Sequence, residues 1–304
     1  MPAAIILVHG LRTSATMWRQ QREDLESSGH RVVTVDLPGH GTRIAGRFSF
    51  DSALAVIGDT IRAATAQDGE KPYLVGFSLG GYLSIEYLAR HPGSVCGLLA
   101  ASCGTSPNRV ILGGWRFIAR VIHRLPDRGR RLNELAVWAF VPPIGAADVL
   151  AGGAAIDVMD DALRELRALN PVAALARIAE PVLFVNGQLD HFRMHERRYL
   201  TAAANSRLVT IAGSTHMVSV TRPRQFTAVL LAEYRELTRT PQATDISAVG
   251  TTADGATTEV TATTSSASSS ASSPASSPAS SSASSSASSS AEPSKTGHDS
   301  SSSS

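Results

Sequence analysis

Short apolar runs alternate with amphipathic stretches along most of this chain. The runs are Ile5 to Val8, Arg31 to Val35, Tyr73 to Gly76, Val95 to Ala101, Pro181 to Asn186 and Arg207 to Ala212, with Gly and Pro at their boundaries. Runs of this length and composition read as strands buried on both faces of a parallel sheet. Between them, amphipathic periodicity predicts helices over Thr16 to Ser28, Phe50 to Ala66, Gly80 to Arg90, Met194 to Ala204 and Pro223 to Arg239. Strand followed by helix, repeated, is the pattern of an α/β fold with a doubly wound, mostly parallel sheet.

One interval breaks the alternation. About 80 residues separate Ala101 from Val182, and they carry helical patterns only, near Val110 to Arg124, Gly129 to Phe140, Ala146 to Ala151 and Met159 to Leu169. Connections within a domain are rarely so long. Residues 104–174 are therefore expected to be an inserted helical cap on a core formed by residues 1–103 and 175–241. At the carboxyl ends of the strands such an insertion would roof whatever site lies there.

Composition changes sharply near residue 242. The last 62 residues are dominated by Ser, Ala, Thr and Pro, with Ile246, Val249 and Val260 the only large aliphatic side chains. Burial there cannot offset the entropy of ordering the chain, so residues 242–304 are predicted to be a disordered tail: a linker, a solubilising extension or a modified stalk. The tail holds one basic side chain, Lys295, against five acidic ones, which leaves 27 basic and 21 acidic groups in the first 242 residues. That mild excess gives no footprint for tracking a phosphate backbone, and nucleic acid is not an expected partner.

Cys96 and Cys103 stand an odd number of residues apart on one predicted strand, hence on opposite faces, where they cannot pair with each other. Free thiols suit a reducing compartment. The apolar stretch at the N-terminus has no basic region before it, and no segment approaches the roughly 18 apolar residues that span a bilayer. The expectation is a soluble, cytoplasmic protein.

The strongest chemical signal is Gly76-Phe77-Ser78-Leu79-Gly80-Gly81, preceded by a predicted strand and followed by a predicted helix. This is G-x-S-x-G in the context it requires: Ser78 sits on a turn too tight for side chains two positions either side, so Gly76 and Gly80 make room. A serine hydroxyl is a weak nucleophile at neutral pH. It needs a histidine base and a carboxylate to orient that base, in the chain order Ser, Asp or Glu, His. Asp190 follows the fifth strand in Gly187-Gln188-Leu189-Asp190, and His216 follows the sixth in Gly213-Ser214-Thr215-His216. All three would converge at one edge of the sheet. The oxyanion formed by attack on a carbonyl needs donors, and the backbone N–H groups of Leu79 and of Leu11, after His9-Gly10, stand where such donors belong. A histidine base must be neutral to accept a proton, so the rate is expected to rise through roughly pH 6 to 7.

These features resemble the α/β-hydrolase superfamily, serine-nucleophile and esterase or lipase-like, over roughly Ile5 to Leu237. The carrying motifs are His9-Gly10 with Ser14 and Trp18, Asp36-Leu37-Pro38-Gly39-His40-Gly41, the turn around Ser78, Asp190 and His216. The resemblance implies Ser78 as nucleophile, His216 as general base, Asp190 as its orienting acid, and no metal or organic cofactor. Two departures stand out. The family usually has two strands before the one ending in His-Gly, so the strand Arg31 to Val35 is expected at an exposed edge. Arg43 also stands two positions after Gly-His-Gly, where the family usually has Ser.

The remaining histidines have plainer expectations. His40 and Asp36 are expected to organise their loop, and His9 to shape the oxyanion turn. His191 and His195 flank Asp190 without the further ligands a metal would need, and His123 is expected at the surface. Arg109 to Arg131 holds seven arginines and one aspartate, with Trp115, Ile118, Ile122 and Leu125 on one face. This cationic amphipathic segment suits either a cap helix with its apolar face on the core and its arginines in water, or a dock for an anionic membrane surface or negatively charged acyl substrates. Oligomeric state is not indicated.

The expected activity is hydrolysis of a carboxylic ester or related acyl bond in a small molecule, with a medium-to-long acyl or otherwise hydrophobic substrate favoured over a small polar one, since the cap is rich in Trp115, Phe117, Ile118, Trp138, Phe140 and Val141. The same fold also supports thioester, lactone or carbon–carbon cleavage, acyl transfer and cofactor-free peroxidation. A ligand-binding protein without turnover is the alternative from another class.

Overall fold

A computed structural model of the chain describes residues 3–239. Strand β1, Ile5–Val8, leads through a 3-10 turn, Ala15–Trp18, into α1, Arg19–Ser27. Then come β2, Val32–Val35, a second 3-10 turn, Gly41–Arg43, and α2, Phe50–Asp68. Next are β3, Tyr73–Phe77, α3, Leu79–Arg90, and β4, Gly97–Ala101. Five helices follow before the next strand: α4, Arg109–Ile122; α5, Arg130–Phe140; α6, Pro143–Ala151; α7, Val158–Leu166; and α8, Pro171–Leu175. The chain continues with β5, Val182–Gly187, α9, Glu196–Ala202, β6, Ser206–Ile211, α10, Val218–Thr221, and α11, Pro223–Thr238. The expected tail, 242–304, lies outside the described residues.

The strands form one sheet in the order β2-β1-β3-β4-β5-β6, and every pairing is parallel. Alternation along each strand sends side chains to two separate cores. Ile6, Val8, Leu74, Leu98 and Phe184 pack under α2, α3 and α9 on one face. Ile5, Leu7, Val75, Leu99 and Val185 pack under α1 and α11 on the other. A parallel sheet has to be covered on both faces, because its strands are apolar on both sides. The fold is thus a doubly wound α/β sheet, and β2 is an edge strand with Val32, Val33 and Thr34 half-buried.

Local signals explain the helix boundaries. Ser49 and Ser52 form a reciprocal capping box at the start of α2, and Gly69, at φ 73, closes it in the left-handed region. The predicted helix Thr16 to Ser28 is split, since its first turn is the 3-10 segment capped by Ser14. The short helices α8 and α10 carry too few residues for a periodic signal. Cys96 precedes β4 and Cys103 follows it; both thiols are free, and they pack with opposite cores. Burial pushes the Cys96 thiol up to about 11 and that of Cys103 well above its ordinary value.

The apolar residues of α4 do not lie on the core as a single buried stripe. Only Leu112 and Ala119 are buried, while Val110 is 82% and Phe117 68% exposed, and Trp115, Ile118 and Leu125 are exposed too. Nor are all the arginines left to water: Arg116 grips Asp160 of α7 through two hydrogen bonds of 2.9 and 3.0 Å. Arg128 pairs with Asp157 at 2.5 Å. Among the described residues, no helix is long and apolar enough to cross a membrane.

Candidate active site

In a doubly wound sheet the loops at the carboxyl ends of two adjacent strands part where the strand order reverses. Here that point lies between β1 and β3, and it sets the turn His9-Gly10-Leu11 beside the turn at Ser78. Asp190 and His216 follow β5 and β6 at the same sheet edge.

Ser78 has φ 50 and ψ −112, a conformation that non-glycine residues adopt only when their surroundings enforce it. The enforcement is packing. A Cβ on Gly76 would lie 2.5 Å from the Gly80 carbonyl oxygen, and one on Gly80 would lie 2.5 Å from that of Val8. Only glycine lets the turn, the first helical residues of α3 and the end of β1 approach so closely. The Ser78 N–H donates to the Ala101 carbonyl at 2.8 Å, which fixes the turn against β4.

His216 Nε2 lies 3.1 Å from Ser78 Oγ, and His216 Nδ1 lies 3.1 and 3.3 Å from the two oxygens of Asp190. With Nδ1–H donating to the carboxylate, Nε2 is left to accept the serine proton. Burial of Asp190 works against its charged form. Hydrogen bonds from His216 and from the Phe192 N–H at 2.8 Å outweigh that cost and hold its carboxyl below the ordinary value. The ring of His216 packs at a tilt against Phe192 and Phe77, whose centroids stand 4.7 and 5.2 Å away. Ser102 donates to the His216 carbonyl at 2.8 Å, so β4 also steadies the histidine loop.

Neither the Leu11 nor the Leu79 backbone N–H has an acceptor among the described residues. Both residues line a cavity of about 300 Å³ together with Ser78, His216, Tyr82, Leu112, Trp115, Leu163 and Phe192. Two unpartnered donors beside an activated hydroxyl, in a largely apolar cavity, are what stabilisation of a developing oxyanion requires.

Residues 5–229 match the sequence profile of the Alpha/beta hydrolase family. The chain belongs to that family. It is 27% identical over 257 residues to the biotin biosynthesis bifunctional protein BioHC of Cellvibrio japonicus (strain Ueda107), covering 77% of this chain and 48% of that protein. It is 30% identical over 138 residues to the pimeloyl-(acyl-carrier protein) methyl ester esterase of Aliivibrio salmonicida (strain LFI1238), covering 45% of this chain and 49% of that protein. The chain thus spans about half the length of these relatives. A thermophilic esterase from Thermogutta terrifontis shares the fold at TM-score 0.64 and 19% identity, over 79% of this chain and 92% of that one.

In this alpha/beta hydrolase the other expected residues take supporting places. His9 is fully buried; its Nδ1–H donates to the Gly10 carbonyl at 2.8 Å and its Nε2 accepts from the Leu37 N–H at 3.0 Å, tying the β1 turn to the β2 loop. Asp36 accepts from Ala15 N–H, Thr42 N–H and Thr42 Oγ1. His40 bonds the Pro38 carbonyl at 3.0 Å. Arg43 closes the same loop with its backbone, its carbonyl accepting from the Gly39 and Gly46 N–H groups, while its side chain is exposed. His195 Nδ1 accepts from the Ser106 N–H at 3.1 Å and anchors the segment that leads into α4; His191 lies along the cavity wall. His123 is half-buried at the end of α4.

Sequence reasoning missed Phe192, Ser102 and Arg12. Phe192 stood two residues past Asp190 and read as loop. Ser102 stood one residue past a strand, with no pattern of its own. Arg12 follows Leu11 directly, and a charge so close to the His9-Gly10-Leu11 turn was the signal available.

Proposed function

We propose that this protein is a serine hydrolase that cleaves a carboxylic ester or related acyl bond of a small hydrophobic substrate through an acyl-enzyme. The observation that carries the proposal is the unbroken hydrogen-bond chain Asp190, His216, Ser78 at the wall of the apolar cavity. Ser78 Oγ attacks the carbonyl carbon while its proton passes to His216 Nε2, and the imidazolium is stabilised by Asp190. The negative oxygen of the tetrahedral intermediate accepts from the N–H groups of Leu11 and Leu79. Collapse expels the alcohol, which takes the proton from His216 and leaves an acyl group on Ser78. Water then attacks, gives its proton to His216, and the acid departs as Ser78 recovers that proton. In this reading residues 104–174 act as a cap, since Ile111, Trp115, Met159 and Leu163 of its helices line the cavity. The relatives named as ester hydrolases support the same reaction class. The two free thiols support a reducing compartment such as the cytoplasm.

The test is labelling with a fluorophosphonate probe, with the modified residue read by mass spectrometry. Label on Ser78 in the parent and its loss in Ser78→Ala, together with loss of 4-nitrophenyl ester turnover by about a thousandfold or more, is the expected result. Label on another residue, or turnover that survives in the variant, rejects the assignment.

The exposed face of α4 and α5 supports one partner as well. Phe117, Val121, Leu135, Trp138 and Phe140 are exposed there, and the guanidinium groups of Arg124, Arg130 and Arg131 reach no carboxylate within ion-pair distance among the described residues. Apolar and aromatic groups interleaved with unpaired arginines suit the interface of an anionic lipid bilayer.

A further inference from the structure

The turn that carries Leu11 also carries a charge that the proposed chemistry does not use. Arg12, at φ 66, lines the 300 Å³ cavity beside Ser78 and also a second cavity of about 190 Å³ between α4 and α5. The two cavities share Arg12, Trp115 and Met159, so this arginine stands at their junction. The walls of the second cavity are largely apolar, with Ile118, Ile122, Leu132 and Ile156 among them.

Arg12 is half-buried, and its guanidinium donates to the side-chain oxygen of Asn133, a buried residue of α5. Among the described residues no carboxylate lies within ion-pair distance of it, whereas Arg116, Arg128 and Arg207 each reach one. Burial pushes the Arg12 guanidinium below its ordinary value. A guanidinium has five N–H donors in a planar fork suited to a carboxylate, and a neutral amide satisfies only part of it. A cation held away from water without a counter-ion is costly, and an anionic group arriving with the substrate removes that cost.

We propose that Arg12 is a specificity residue that binds a second, ionised carboxyl group carried by the ester substrate, with the apolar walls taking the hydrocarbon between charge and ester. This rests on the reading of Ser78 as nucleophile. The preferred substrate is an ester bearing a free carboxylate, on its acyl or its alcohol portion, over a neutral ester of the same length.

The experiment compares kcat/KM for matched pairs. The acyl arm pairs 4-nitrophenyl hydrogen suberate with its methyl ester, and the alcohol arm pairs 4-carboxyphenyl hexanoate with its methyl ester. In one arm the parent is expected to favour the charged member by about tenfold or more, the range of a charge-assisted hydrogen bond. Arg12→Met should lose that ratio and Arg12→Lys keep part of it. Asn133→Asp sets a competing carboxylate beside the guanidinium and should lose the ratio as well, which decides the matter if Arg12 variants do not fold. No preference in either arm, an equal loss on charged and neutral esters in Arg12→Met, or a preference retained in Asn133→Asp overturns the proposal. Failure of the Ser78 reading is separate, since it appears as neutral-ester turnover that survives Ser78→Ala.

Discussion

His9 shows how one side chain can be locked into a single protonation state. Burial, with the charge of His40 adding to it, lowers its pKa to about 3. The two ring nitrogens meet one carbonyl and one N–H, so the neutral ring satisfies both and a protonated ring would set an N–H against the Leu37 N–H. An unfolded histidine titrates near 6.5. Between roughly pH 6.5 and 3 the unfolded chain therefore binds a proton that the folded chain refuses, so this contribution is complete above 6.5 and is lost as pH falls. Urea unfolding at pH 7.5 and pH 5 should differ by roughly 2 kcal/mol from this source, and the difference should shrink by that amount in His9→Asn. Asp36 and Asp190, both held below the ordinary carboxylate value, titrate too low to contribute at pH 5. An equal pH dependence in parent and variant would remove His9 from this role.

At the scale of elements, the turn between β3 and α3 and the helix α4 make opposite demands on glycine. Gly80 sits where a Cβ would lie 2.5 Å from the Val8 and 2.6 Å from the His9 carbonyl oxygens, all backbone atoms that cannot swing aside. Gly80→Ala is expected to destabilise the fold by about 1 to 3 kcal/mol or more, as overpacking does. It should also lower turnover, because the strain falls on the Ser78 turn. Gly114 lies within α4 with open space around it, and Gly114→Ala should stabilise by about 0.5 to 1 kcal/mol through backbone entropy alone. Thermal unfolding of the two variants reads both signs. A neutral Gly80→Ala would mean that the turn tolerates side chains and that its glycines are incidental. The two glycines of the G-x-S-x-G pattern are legible because the pattern carries its own steric reason, whereas the 3-10 turn at Ala15–Trp18 reads as part of a helix because its spacing continues that of α1.

Over the whole molecule, the surface is where sequence and structure part most. Phe117 of α4 and Phe140 of α5 are 68% and 77% exposed, near Arg124, Arg130 and Arg131, whose guanidinium groups reach no carboxylate among the described residues. In co-sedimentation with vesicles, the full chain should pellet with mixed phosphatidylglycerol and phosphatidylcholine but not with phosphatidylcholine alone, and added salt should release it. The triple variant Phe117→Ser, Arg124→Glu, Arg131→Glu should stay in solution. Absence of binding to the anionic vesicles rejects the membrane contact. The sequence by itself determined the alternating strands, their two-sided burial and the order of Ser78, Asp190 and His216, because periodicity and local turn chemistry are written in neighbouring residues. Only the tertiary structure decided that Arg116 pairs with Asp160, that Arg12 meets an amide and no carboxylate, and that Val110, Phe117 and Val121 of α4 are exposed. A periodic pattern states which face of a helix is apolar, but what that face meets, and whether a charge finds its opposite, depends on segments far away in the chain.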